Sequence, residues 1–406
     1  MARQAVEHAM VSDLPRPDGW PVSETREQMH MRPARGTRPS NRRALIVAAA
    51  TELFYRNGFT RVGIGDVAEA VAVGPSALYR HFRNKQVLLH AVVGEALTAL
   101  QTLLDGRSDE QADNLPGALA TMMVEHRATN VLWHRDARHL NPDVRAELRH
   151  QLRSIGNRVV ELLRRQRPEL ESDQADLLAW AAIGTATSAS FHSLELPNNR
   201  MVAVLTDMIV VVIGAKIPLL EPAFPSDGSH QAPWSPSRRT AILGAATKLF
   251  GERGFAGVGM ENIGAAVGIA GPSIYNHFDS KENILVAILD RGNSILQAYM
   301  DRELIRATGP AEVLHRLLAS YTEFAFENSA AISLLVSEID QISPEERHRL
   351  RRIQHDYITQ WVHLLRQLHI DLDPIEARIR VQAVLHTIND IAATPHLQAF
   401  RRQIRS

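Results

Sequence analysis

The sequence predicts an all-α fold built as two similar halves, and three observations predict it. Residues 43–91 reappear as residues 239–287 at a constant shift of 196 without a gap, about two positions in five being identical. Apolar residues recur at i, i+3, i+4 and i+7 through both halves, and no alternating run of strand type interrupts them. A stretch rich in Pro, Ser and Gly, EPAFPSDGSHQAPWSPS, separates the halves and has the composition of a linker. A repeat of this length is a duplicated domain, since solenoid units recur every ~20–50 residues.

Composition narrows the class. The 406 residues allow roughly two to three domains. The net charge is zero, so any surface that attracts nucleic acid must be local. Cysteine is absent, which excludes disulfides, thiolate metal sites and Cys nucleophiles and fits a reducing cytoplasm. The opening residues contain no apolar h-region of the secretory type. The apolar stretch at 201–220 is interrupted by Asp207 and Lys216, so it reads as a buried helix rather than a membrane span. The expected location is cytoplasmic, with no membrane partner.

Residues 1–41 hold several prolines, scattered charges and few large apolar residues, and read as a flexible arm. At its end Arg32, Arg35, Arg38, Arg42 and Arg43 fall within twelve residues that contain no acid. The first repeat helix spans about 43–56, with Ile46, Ala49, Ala50, Leu53 and Phe54 on one stripe. Gly58 is placed to end it in a left-handed conformation, and Phe59 follows into the core. Next come a short helix at 65–72, a turn at Val73 and Gly74, and a helix opening at Pro75, where a missing N–H costs little. Asn84 and Ser280 are caps for long helices starting at Lys85 and Lys281.

Beyond the first repeat, LNPDVRAEL at 140–148 matches ISPEERHRL at 342–350, now offset by 202, so the second half has gained six residues. Helices are expected near 115–140, 142–165, 173–194 and 198–215, then near 310–340, 344–369 and 374–393. The second half therefore reads as truncated. The expected division is an arm at 1–41, a head at 42–91, a bundle at 92–217, a linker at 218–237, a second head at 238–287 and a second bundle at 288–406.

A short helix, a tight turn and a second helix, packed by a preceding amphipathic helix, resemble the DNA-binding head of the TetR family of bacterial repressors. The residues that carry the likeness are Ala49, Leu53, Phe54, Gly58, Phe59, Asp66, Val67, Ala68, Ala70, Val73, Leu78, Tyr79, Phe82 and Lys85. Their partners include Ala245, Leu249, Phe250, Gly254, Phe255, Ile263, Ala266, Ile269, Ile274, Tyr275, Phe278 and Lys281. The stretch at 130–145, NVLWHRDARHLNPDVR, is similar to tandem-head members from mycobacteria that repress lipid-import operons of the mammalian-cell-entry type.

The resemblance implies two helix-turn-helix heads, each followed by a helical ligand-binding and dimerisation bundle. In the family the second helix of the motif enters the major groove. That places Ser76, Ala77, Tyr79, Arg80 and His81 over DNA in the first head, and Pro272, Ser273, Tyr275, Asn276 and His277 in the second. Arg80 suits guanine and Asn276 suits adenine. Tyr79, His81 and Lys85, with Lys281, are assigned to phosphates, and Arg42, Arg43, Arg238 and Arg239 lead the first helix of each head against the duplex. The plain alternatives are that the tyrosines pack and that the arginines at 32–43 only solubilise the chain.

Two departures from the family pattern bear on geometry. Ala72 stands where the second head has Gly268, so the first head is expected to bend its turn differently. The tripeptide GPS occurs at 74–76 and 271–273, one register apart, so the two reading helices are expected to begin differently.

A small, apolar, lipid-like effector is the second partner the family implies. Met122, Trp133, Trp180 and Phe191 in the first half and Phe324, Tyr357 and Trp361 in the second are the candidate pocket residues. Residues of this kind at helical spacing are more often plain core than pocket. His126, His134 and His139 are eight and five apart, not the three or four that helical metal ligands need, so no metal is expected. The sequence lacks a nucleophile elbow, a phosphate loop and an HEXXH motif, and it calls for no enzyme chemistry and no cofactor. A monomer with two heads and a dimer of such chains both remain open.

Overall fold

A computed structural model describes residues 41–106, 114–217 and 237–398. They form two compact units divided after Gly214. The expected arm, apart from Asn41, and the expected linker, apart from Ser237, lie outside the described residues. Unit one runs α1 (Arg42–Asn57), α2 (Ile64–Ala70), α3 (Pro75–Tyr79), α4 (Lys85–Asp105), α5 (Leu115–Glu125), α6 (Arg127–Asp136), α7 (Pro142–Gln166), α8 (Ser172–Thr187) and α9 (Asn198–Gly214). Unit two runs α10 (Arg238–Arg253), α11 (Met260–Ala266), α12 (Gly271–Ile274), α13 (Lys281–Arg306), α14 (Pro310–Glu338), α15 (Pro344–Leu368) and α16 (Pro374–Ala393). The fold is all-α, with no strand among the described residues.

The first helix of each head forms around one buried stripe: Ile46, Val47, Ala50 and Phe54 in α1, and Ile242, Leu243, Ala246, Leu249 and Phe250 in α10. Both end on a glycine of positive φ, Gly58 at φ 80 and ψ 145 and Gly254 at φ 73 and ψ 157. This corrects the expected left-handed cap, because ψ is extended, a region essentially reserved to glycine. Each glycine N–H still donates to the carbonyl of Phe54 or Phe250 at 2.9 Å. Asn84 and Ser280 cap α4 and α13 as the sequence suggests, accepting from the N–H of Val87 at 2.8 Å and of Asn283 at 3.0 Å.

The helix expected near 115–140 is broken in two at His126 (φ −106, ψ 26). Unit two keeps α14 whole, yet Asn328, 202 positions on, has the same non-helical dihedrals (φ −122, ψ 22). The Asn328 amide donates to the Phe324 carbonyl at 3.0 Å, one of the recognised causes of a kink. The break therefore belongs to the duplicated plan. α13 is 26 residues long against 21 in α4, and α14 runs 18 residues before Asn328 against 11 in α5, with a shorter connection between the two helices of unit two. Among the described residues only a short 3-10 turn at 395–398 follows α16, so α9 has no counterpart there.

Each head packs on its own bundle through matched side chains. The first head's core of Phe54, Val67, Leu78, Phe82 and Leu89 runs on into Leu132, Leu140 and Leu148. The second head's core of Phe250, Ile263, Ile274, Phe278 and Leu285 runs on into Leu334, Ile342 and Leu350, each 202 positions from its partner. Full burial of one such side chain is worth about 1.5–3 kcal/mol, so these contacts bind head to bundle firmly. The helix α4 is long and apolar enough to cross a bilayer by length and composition. Its apolar side instead lies in the core, through Leu88, Leu89, Val92, Val93, Leu100 and Leu104.

Candidate nucleic-acid interface

The reading helices are set by two identical turns. In head one the Val73 N–H donates to the Ala68 carbonyl at 2.9 Å, and in head two Ile269 donates to Gly264 at 2.9 Å. Ala72 takes φ +55 and Gly268 φ +70. Head one does not bend its turn differently; it holds an alanine in the left-handed region, which costs an L-residue roughly 1–2 kcal/mol. The reading helices also begin at matched positions, capped by Gly74 and Ala270. The register shift of GPS only moves proline from the first helical position to the second.

Side chains sort cleanly on this frame. Leu78 and Ile274 are fully buried and anchor each short helix. Tyr79 and Tyr275 are each 53% exposed, so neither ring is core. Ser76, Arg80 and His81 are exposed in head one, as are Pro272 and Asn276 in head two, while Ala77, Ser273 and His277 are half-buried. The two heads thus present Tyr-Arg and Tyr-Asn at one place on one scaffold. Arg42 is half-buried and Arg238 exposed at the starts of α1 and α10.

The two lysines take loop carbonyls as partners. Lys85 donates to the carbonyls of Phe59 at 2.7 Å, Val62 at 2.9 Å and Thr60 at 3.4 Å, with its ammonium 4.3 Å from the Phe59 ring centre. Lys281 donates to Phe255 at 2.7 Å and Val258 at 2.8 Å, 4.2 Å from the Phe255 ring. Burial lowers the pKa of both, and Asp136 and Asp66 partly oppose this at Lys85. Both ammonium groups donate to loop carbonyls and so clamp the loop before α2 and α11, a role the phosphate assignment did not include.

Sequence reasoning also missed the joint between head and bundle. Arg135 donates to the last carbonyls of α1, Phe54 at 2.5 Å and Tyr55 at 3.2 Å, and pairs with buried Asp136 at 2.8 Å. In unit two Glu338, 202 positions from Asp136 and 1% exposed, accepts from the Phe255 N–H at 3.2 Å. Acids at matched positions of the duplicated plan, Asp136 and Glu338, were the available signal. His139 stacks on Phe59 with ring centres 5.1 Å apart. Its pKa is lowered, first by burial and then by Arg138, while Asp136 opposes.

The candidate pocket residues lie in packed surroundings. Trp180 is buried against Gly156, where an added Cβ would come within 2.7 Å of the indole. Trp133 packs on the head-one core, Phe191 meets His134 edge-on at 5.1 Å, and Met122 is half-buried. Phe324, Tyr357 and Trp361 are buried around Tyr321, whose hydroxyl donates to Asn389 at 3.0 Å and is pushed by burial to a pKa of about 12. Two open clefts of about 680 and 510 Å3 lie elsewhere, and none of the seven residues lines them.

Comparison with known proteins agrees with the duplicated head. The model of "Bacterial regulatory proteins, tetR family" matches residues 46–92 and again 242–288. A curated relative, the HTH-type transcriptional repressor KstR2 of Rhodococcus jostii, is 28% identical over 137 residues, which are 32% of this chain. The chain spans 63% of that relative's length. Among solved structures, the TetR family regulator PfmR of Thermus thermophilus is 24% identical, with 42% of this chain and 96% of that chain covered and a TM-score of 0.36. The ketosteroid transcriptional regulator KstR2 of Mycobacterium tuberculosis is 24% identical, with 38% and 83% covered and a TM-score of 0.35. The chain thus carries the DNA-binding domain of the tetR family of bacterial regulatory proteins twice, once in each unit.

Proposed function

We propose that the chain is a sequence-specific double-stranded-DNA-binding repressor whose two heads serve one operator as an intrachain pseudo-dimer. The observation that carries this reading is the matched pair of exposed tyrosines, 53% each, on identically turned helices. Ser76, Ala77, Tyr79, Arg80 and His81 face one half-site, and Pro272, Ser273, Tyr275, Asn276 and His277 face the other. Arg80 reads guanine and Asn276 adenine through their edges in the major groove, with Arg42 and Arg238 beside the backbone. Because these sets differ, the operator is an imperfect palindrome. Residues 92–217 and 288–406 form the regulatory bundles, behind the heads at 42–91 and 238–287.

Repression is supported by the relative named a repressor, and release is assigned to a small apolar, lipid-like effector. It enters by parting helices around Trp133 and Trp180 or around Phe324, Tyr357 and Trp361, and it acts by favouring a head arrangement that DNA does not. A second reading, in which only head one binds DNA, is favoured by charge. Residues 32–91 carry ten Lys and Arg against three acids, whereas 226–287 carry five against five.

One experiment separates the two readings. The full chain selects duplexes from a random-sequence pool, and two variants, Tyr79→Ala with Arg80→Ala and Tyr275→Ala with Asn276→Ala, are compared on the enriched duplex. Loss of affinity in both supports two reading heads. Loss only in the first supports the single-head reading, and a chain that enriches nothing refutes both. Fatty acyl-coenzyme A thioesters and sterols, added to the complex, test for release.

A further inference from the structure

Arg43 and Arg239 occupy the same position in the two heads, 196 apart, yet they hold different partners. Arg239, the second residue of α10, lays its guanidinium 4.0 Å from the Phe278 ring centre and donates to the His277 carbonyl at 2.7 Å. That carbonyl belongs to the turn that follows α12 and holds Tyr275 and Asn276 out to solvent. Arg43 sits 5.2 Å from the Phe82 ring and is ion-paired with Glu95 on α4.

The cause is a charge reversal. The position matched to Glu95 is Arg291. A carboxylate on α4 draws the Arg43 guanidinium, whereas an arginine at the same place on α13 repels that of Arg239. Turned the other way, Arg239 finds the His277 carbonyl in the turn after α12. A charge-assisted hydrogen bond and a ring stack then act on one segment together.

We infer that Arg239 is a positioning residue of the second reading head: it fixes the segment from Ile274 to Phe278, and so the direction in which Tyr275 and Asn276 meet the bases. The inference rests on the proposed DNA-reading function. It assigns Arg239 a role distinct from the phosphate contact that its place in the sequence suggests. Head one orders the same segment without this bond, and its Arg43 ties α1 to α4.

The test uses the full chain carrying Arg239→Ala, Arg239→Lys or Arg43→Ala. Without DNA, Arg239→Ala should speed hydrogen exchange at the His277 and Phe278 amides about tenfold, and Arg43→Ala should leave His81 and Phe82 nearly unchanged. On the duplex enriched by the wild-type chain, Arg239→Ala should weaken binding about tenfold and relax base preference only in the half read by head two, at an unchanged salt slope. Arg239→Lys keeps a donor for the carbonyl and should retain most of the preference. Unchanged exchange, or a salt slope reduced by about one with preference intact, overturns the inference. If the wild-type chain enriches no duplex, the DNA-reading function fails, and the exchange measurement alone decides whether Arg239 fixes the segment.

Discussion

Replacing Ala72 by glycine should stabilise unit one, and replacing Gly268 by alanine should destabilise unit two. The two residues hold the same turn, at φ +55 and +70. An L-residue in this region costs roughly 1–2 kcal/mol, and Ala72→Gly removes that cost. Against it stand the greater chain entropy that glycine loses on folding, about 0.5–1 kcal/mol, and a few tenths for the half-buried methyl. A net gain of about 0.5 kcal/mol remains. At Gly268 an added Cβ meets nothing within 4 Å, so Gly268→Ala carries only the backbone cost, about 0.5–1 kcal/mol after the entropy offset. For units of about 200 residues each change moves Tm by roughly 1–3 °C, in opposite directions. Differential scanning calorimetry reads both. Destabilisation by Ala72→Gly, or no effect from Gly268→Ala, would refute the strained-turn argument.

Three further outcomes follow from the geometry. Lys85→Met should lower the unfolding free energy of unit one by about 1–2 kcal/mol through lost charged hydrogen bonds, measured by urea denaturation, while leaving the salt slope of DNA binding unchanged; a slope smaller by about one would return the lysine to a phosphate. Arg80→Ala should relax preference at one or two base pairs at a cost of about 1–3 kcal/mol, read by competition between altered duplexes, and a uniform loss over all sequences would contradict it. His139, held neutral by burial and by Arg138, should make unit one lose stability as pH falls below about 6.5, because the unfolded chain binds that proton more readily. His139→Gln, which copies Gln341 of unit two, should remove that part of the pH dependence in thermal melts, and an unchanged pH profile would count against it.

Much of the fold was legible because its signals are local. The stripe from Ile46 to Phe54, the caps at Asn84 and Ser280, and the glycines at 58 and 254 each act within one or two helical turns. The exposure of Tyr79 and Tyr275 follows as locally, from their place beside the buried Leu78 and Ile274. What the sequence hid depends on residues far apart in the chain. That Lys85 meets the Phe59 and Val62 carbonyls depends on a loop 23 to 26 positions away. Arg43 and Arg239 look alike until Glu95 and Arg291 are set beside them. Phe324, Tyr357 and Trp361 have the spacing of a helix face, and that spacing is the same whether the space between helices is filled or hollow. The kinks at His126 and Asn328 have no proline or glycine to announce them.

The most direct test of the account is the composition of the smallest stable complex between the full chain and a duplex enriched from a random pool. Native mass spectrometry or sedimentation gives the number of chains, and base-by-base substitution of the duplex gives the two half-sites. The account predicts one chain on a duplex with two unequal halves, one sensitive to Arg80→Ala and the other to Asn276→Ala. Two chains on the shortest duplex that binds, or two halves that both answer to Arg80→Ala and neither to Asn276→Ala, would contradict it.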